Sequence, residues 1–83
     1  MSRYEIAYAP VAEATLKQMP SPSAAAFRAA IGRTLGRDPY GHGSRAVSRE
    51  RDRREATVVG IFIRYYVAQS VLQVTVVRMV PPP

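Results

Sequence analysis

The chain has 83 residues, and a chain of that size buries only about 60–65% of its unfolded surface, so it supports one domain with a thin core. It is 47% hydrophobic and has no cysteine, which excludes disulfides and thiolate metal sites, and it lacks the apolar run of about 18 residues that a membrane-spanning helix needs. Its net charge of +6, from 12 basic and 6 acidic residues, points to a polyanion or an acidic protein as partner.

Every basic residue except Lys17 is an arginine. A planar guanidinium grips phosphate through two parallel hydrogen bonds, which suits a nucleic-acid backbone. A GC-rich coding sequence produces the same bias, so the ratio alone decides nothing. At the N-terminus, Tyr4, Ile6 and Tyr8 alternate with Arg3 and Glu5 and form no apolar leader block, so the expected location is cytoplasmic.

In chain order, Tyr4, Ile6 and Tyr8 lie two apart and predict a first strand over 3–8. Pro10 suits the first turn of a helix, and Ala12, Leu16 and Met19 follow at helical spacing, giving a helix over 10–19. Ser21 or Ser23 is positioned to cap a second helix over 23–35, in which Ala24, Phe27, Ile31 and Leu35 form the apolar stripe and Gly36 marks the stop. The segment Asp38 to Ser44 has the composition of a loop. The run from Ser44 to Glu55, dense in both charges, predicts solvated surface. Ala56–Val59, Ile61–Val67 and Val71–Val80 then read as strands, with Gly60 and Ala68-Gln69-Ser70 as turns. Pro81–Pro83 form a short extended tail.

The expected architecture is a single α+β domain over residues 1–83, ordered β-α-α-β-β-β. Two N-terminal helices pack on one face of a four-stranded, mostly antiparallel sheet and leave the other face open. Within Ile61–Val67 the period of two assigns Ile61, Ile63, Tyr65 and Val67 to the helix side and Phe62, Arg64 and Tyr66 to the open side.

The opening Tyr4-Glu5-Ile6 together with Gly60-Ile61-Phe62-Ile63-Arg64-Tyr65-Tyr66-Val67 resembles the RelE/ParE family of toxin–antitoxin toxins. Members begin Y-x-I and later read G-x-Y-R-hydrophobic-hydrophobic-Y-x-V, and an ungapped placement with Tyr65 on the last tyrosine matches Ile63, Tyr65 and Val67, with Gly60 one residue closer than the pattern's glycine. It also brings Arg78 onto an arginine that many members keep in the last strand. The chain departs from the pattern at Phe62, where members usually have arginine, the nearest basic residue being Arg64. A second departure follows Arg78, where Met79, Val80 and prolines stand in place of a histidine or tyrosine.

The resemblance implies a type II toxin neutralised by a cognate antitoxin, and in first place a RelE-like mRNA interferase that cleaves message in the ribosome. The alternatives are a ParE-like inhibitor of DNA gyrase and a degenerate toxin that only binds its antitoxin or nucleic acid. Cleavage by the 2′-hydroxyl needs cations around the phosphorane and a proton acceptor. Arg64, Arg78 and Arg53 are the expected cations and Glu55 the expected base. Arg49, Arg51, Arg54, Phe62 and Tyr66 are the expected RNA contacts. His42, the lone histidine, reads as a surface loop residue, and Tyr40 as a packing or stacking aromatic. No metal constellation and no cofactor is expected.

Overall fold

The computed structural model describes residues 3–82. β1 (Glu5–Tyr8) runs into α1 (Pro10–Gln18), and α2 (Ser21–Arg33) follows. Then come β2 (Arg45–Val47), β3 (Glu50–Val58), β4 (Ile61–Ala68), a short 3-10 turn (Gln69–Val71) and β5 (Gln73–Val80). The five strands form one sheet in the order β1-β5-β4-β3-β2, with β1 parallel to β5 and every other pair antiparallel. The parallel contact follows from connectivity: the two helices intervene between β1 and the meander, so β1 can return beside the last strand.

The expected α+β layering is observed with one strand more than predicted. Arg45–Val47 pairs with β3, and β3 itself starts at Glu50, so much of the arginine-rich run is sheet. This hairpin stays mostly exposed. Without a face to bury it shows no apolar alternation, and the period that reveals the other strands is absent.

The core sits between the helices and the sheet. Ala12 and Leu16 of α1, Phe27, Ala30 and Ile31 of α2, and Leu35 just beyond it are buried against Ile61, Ile63, Tyr65 and Val67 of β4 and Val74, Val76 and Met79 of β5. Burying one such aliphatic side chain contributes about 1.5–3 kcal/mol, so the two helical stripes hold the layers together. Helix ends differ in detail from expectation. Pro20, not a serine, precedes α2, and no side chain caps it. Gly36 lies past a helix that already ends at Arg33. Its carbonyl receives the N–H groups of Arg3 at 2.9 Å and Tyr4 at 2.6 Å, which ties the start of the chain to the end of α2.

The β3–β4 connection is a two-residue turn, Val59-Gly60, with φ of 42° and 81°, the left-handed pair that matches strand twist in a tight hairpin. At the other end of β4, Leu72 takes φ 49° before β5 begins. Pro81 and Pro82 follow β5 without regular structure, and Pro83 lies outside the described residues. Among the described residues no helix is long and apolar enough to cross a membrane.

Candidate nucleic-acid interface

β4 is the central strand of the site. Its side chains alternate as predicted: Ile61, Ile63, Tyr65 and Val67 are buried beneath the helices, whereas Arg64 and Tyr66 are exposed on the opposite face and Phe62 is half-buried there. Residues two apart on that face are about 6–7 Å from each other and neighbouring strands about 4.8 Å. The register therefore sets three rows across the open face. Thr57, Phe62 and Val80 form one, and Glu55, Arg64 and Arg78 form the next, extended at its β2 end by Arg45. Arg53, Tyr66 and Thr75 form the third.

Arg78 reaches this face only through an irregularity in β5. Val74 and Val76 point into the core, and strict alternation would send Arg78 after them. The register instead slips, with Tyr65 opposite Val76 and Arg64 opposite Arg78, so that Val77 is an extra residue. Met79 then fills the core and Arg78 points outward. Bulges of this kind re-aim side chains near functional sites.

Arg53, Arg64, Tyr66 and Arg78 line one groove of about 450 Å³, together with Val47, Ser48 and the bulged Val77. Within it, Arg53 donates from Nη2 at 2.7 Å and Nε at 3.0 Å to the Tyr66 hydroxyl and pairs with Glu50 at 3.3 Å. The contact with Tyr66 raises the Arg53 pKa further, so the guanidinium stays charged at any working pH. Glu55 stands at the edge of the groove. Its carboxylate accepts from Arg45 Nε at 2.9 Å and pairs with Arg64 Nε at 3.5 Å. On its other side lies a second depression of about 440 Å³, lined by His42, Arg45, Glu55, Thr57 and Phe62 among others.

The structure thus brings together Arg53, Glu55, Arg64, Tyr66 and Arg78, with Phe62 beside them, and separates three other arginines from them. Arg49 sits at the exposed β2–β3 turn with φ 64°. Arg51 lies over the Tyr40 ring at 4.3 Å. Arg54 is turned to the helix side and is only 8% exposed. It donates to Ser44 Oγ at 3.1 Å and to the carbonyls of Arg51 at 3.1 Å and Tyr40 at 3.4 Å, and lies 5.3 Å from the centre of the Tyr40 ring. The Tyr40 hydroxyl donates to Asp52 at 2.5 Å, and that of Tyr65 to the Pro39 carbonyl at 2.5 Å. Burial and the Asp52 contact push the Tyr40 phenol up to about 12, and burial raises that of Tyr65. This cluster fastens the 38–44 loop to β3.

The sequence carries no sign of the Arg45 contact, because it depends on β2 being a strand in register with Glu55. The turn that creates that strand uses Ser48 and Arg49 at positive φ, residues that give no turn signal of the Asn-Gly kind. Among the described residues no group of three His, Cys, Asp or Glu side chains is arranged to hold a metal ion.

No protein-family model and no curated protein sequence matches the chain. Among solved structures it is similar to a chain of the toxin–antitoxin complex RelBE2 from Mycobacterium tuberculosis. The TM-score is 0.81 at 19% sequence identity, and the match covers 99% of this chain and 94% of that one. The protein therefore shares the α+β fold of a component of that complex.

Proposed function

We propose that the chain is the toxin of a type II toxin–antitoxin pair and acts as a RelE-like endoribonuclease on message held in the ribosome. The observation that carries this reading is the convergence of Arg53, Arg64 and Arg78 with Tyr66 around one open groove. The shared fold and the Y-x-I and I-x-Y-x-V residues support it.

In the proposed reaction the scissile phosphate lies over Arg64 and Arg78, which stabilise the charge that builds as the adjacent 2′-hydroxyl attacks. Glu55 accepts the proton of that hydroxyl. The new O2′–P bond forms as the P–O5′ bond breaks, leaving a 2′,3′-cyclic phosphate and a 5′-hydroxyl. Tyr66 is the proton donor nearest the arginines. Two N–H groups of Arg53 already occupy the acceptor positions of its oxygen, so its own O–H is left to donate to the departing 5′ oxygen. Phe62, in the position where relatives carry arginine, offers a face on which a base can stack.

A second reading is favoured by that same Phe62 and by Met79 and Val80 following Arg78. A chain short of the usual acid and of one cation fits a ParE-like gyrase inhibitor, or a toxin that retains only antitoxin binding. In either case the proposed partner is an acidic antitoxin, matched to the net charge of +6 and to the exposed Tyr66 among cations. A ribosome-dependent cleavage assay run beside a gyrase supercoiling assay separates the readings. Cleavage with 2′,3′-cyclic phosphate ends supports the first, and loss of supercoiling without cleavage replaces it with the second. Silence in both, with tight antitoxin binding, leaves the binding-only form.

A further inference from the structure

We infer that Glu55 is an internal phosphate mimic that sets the affinity threshold of the open face, holding Arg64 until a phosphate presented with its bases displaces it. The inference rests on the phosphate-site reading above and concerns what that site rejects.

The row Arg45, Glu55, Arg64, Arg78 crosses four neighbouring strands in direct register. Arg64 and Arg78 are opposite one another, a like-charge juxtaposition that disfavours the pairing unless an anion offsets it. Glu55 supplies that anion from within the chain, and it does so unevenly. It bonds Arg45 at 2.9 Å and holds Arg64 at the longer 3.5 Å, while Arg78 has no ion pair among the described residues. The Glu55 side chain is 15% exposed and that of Arg64 49%. The carboxylate is thus a fixed, partly shielded partner, and the guanidinium is the half of the pair that can swing away.

A nucleotide phosphate over Arg64 and Arg78 would do for them what Glu55 now does for Arg64, so the two anions compete for one cation. A bare polyanion gains only the difference between its own contact and the ion pair it breaks. A ligand with bases gains more, because Phe62 and Tyr66 flank Arg64 on the same face of the same strand. An internal competitor lowers the affinity of every phosphate ligand by the same factor, so at a given concentration only a ligand that adds base contacts stays bound.

The test measures binding by fluorescence anisotropy with two probes of equal length. One is a single-stranded RNA with 2′-O-methyl riboses, which cannot be cleaved, and the other a chain of abasic deoxyribose phosphates. Glu55→Gln is expected to bind the abasic chain about three- to tenfold more tightly than the parent at low salt, with a steeper salt dependence. The RNA gains by a similar factor, because both probes displace the same carboxylate from Arg64. In an Arg64→Gln background the gain disappears. Glu55→Thr, a β-branched residue suited to a strand, repeats the comparison should the amide variant fold poorly. Folded Glu55 variants that bind the abasic chain no better than the parent overturn the inference, as does a gain that persists with Arg64→Gln. If the parent binds neither probe at low salt, the phosphate-site reading fails and takes the inference with it. Parent binding without a gain removes the inference alone.

Discussion

Arg53 and Arg54 are neighbours in the chain, and the pleat of β3 sends them to opposite faces of the sheet. Arg53 stays exposed, aimed by Tyr66 and Glu50 toward the groove that Arg64 and Arg78 share. Arg54 is buried, its donors accepted by Ser44 Oγ and two backbone carbonyls, with the Tyr40 ring against it. One guanidinium lines the open groove and the other is consumed in fastening a loop. Residue type and net charge describe both equally, and the face of the strand separates their roles.

The comparison breaks most sharply at the open face. Arg64→Ala is expected to lower ribosome-dependent cleavage by about 10²–10³-fold, the usual cost of removing one donor to a transition state. Its circular dichroism and melting temperature should stay near those of the parent, because no core contact is lost. A comparable loss of folding would place Arg64 with the structural group.

Arg54→Ala should behave in the reverse way. Removing a buried guanidinium leaves the Tyr40 and Arg51 carbonyls short of a donor and is expected to destabilise the fold by about 2–3 kcal/mol in urea denaturation. RNA affinity per folded molecule should be unchanged. Weaker binding at full folding would move Arg54 into the interface.

A smaller effect is expected at the β3–β4 turn, away from both arginine groups. Val59 is an exposed β-branched residue at φ 42°, where asparagine is accommodated with less strain. Val59→Asn should stabilise the domain by about 1 kcal/mol without changing activity. A destabilised variant would mean that the valine side chain makes a contact worth more than the strain.

The smallest expected effect sharpens the structural side of the comparison. The Tyr40 phenol is raised from 10.0 to about 12 by burial and by Asp52. A phenol whose folded pKa is raised contributes stability that is intact below its unfolded value and is lost as the pH climbs through the folded one. The denaturation midpoint should therefore fall between pH 10 and 12, and Tyr40→Phe should flatten part of that fall. The rest belongs to Tyr65 and Tyr8, which burial also raises. An unchanged slope in Tyr40→Phe would show that the phenol is solvated.

The sequence by itself determined the elements that bury a face. The stripes Ala12-Leu16 and Phe27-Ile31-Leu35 and the alternation in Ile61–Val67 carry their periods openly, because each must put apolar side chains on one side. The same alternation assigns Arg64 and Tyr66 to the open face. The tertiary structure alone decided what lacks such a period. β2 and the start of β3 are strands with both faces mostly in solvent, so their pairing, and with it the Arg45–Glu55 contact, left no pattern to read. Strict alternation in β5 would bury Arg78; only the register slip against β4, with Val77 as the extra residue, turns it beside Arg64. Arg54 went inward because the 38–44 loop supplies Tyr40 and Ser44 to receive it, partners that are near it in space but ten or more residues away along the chain.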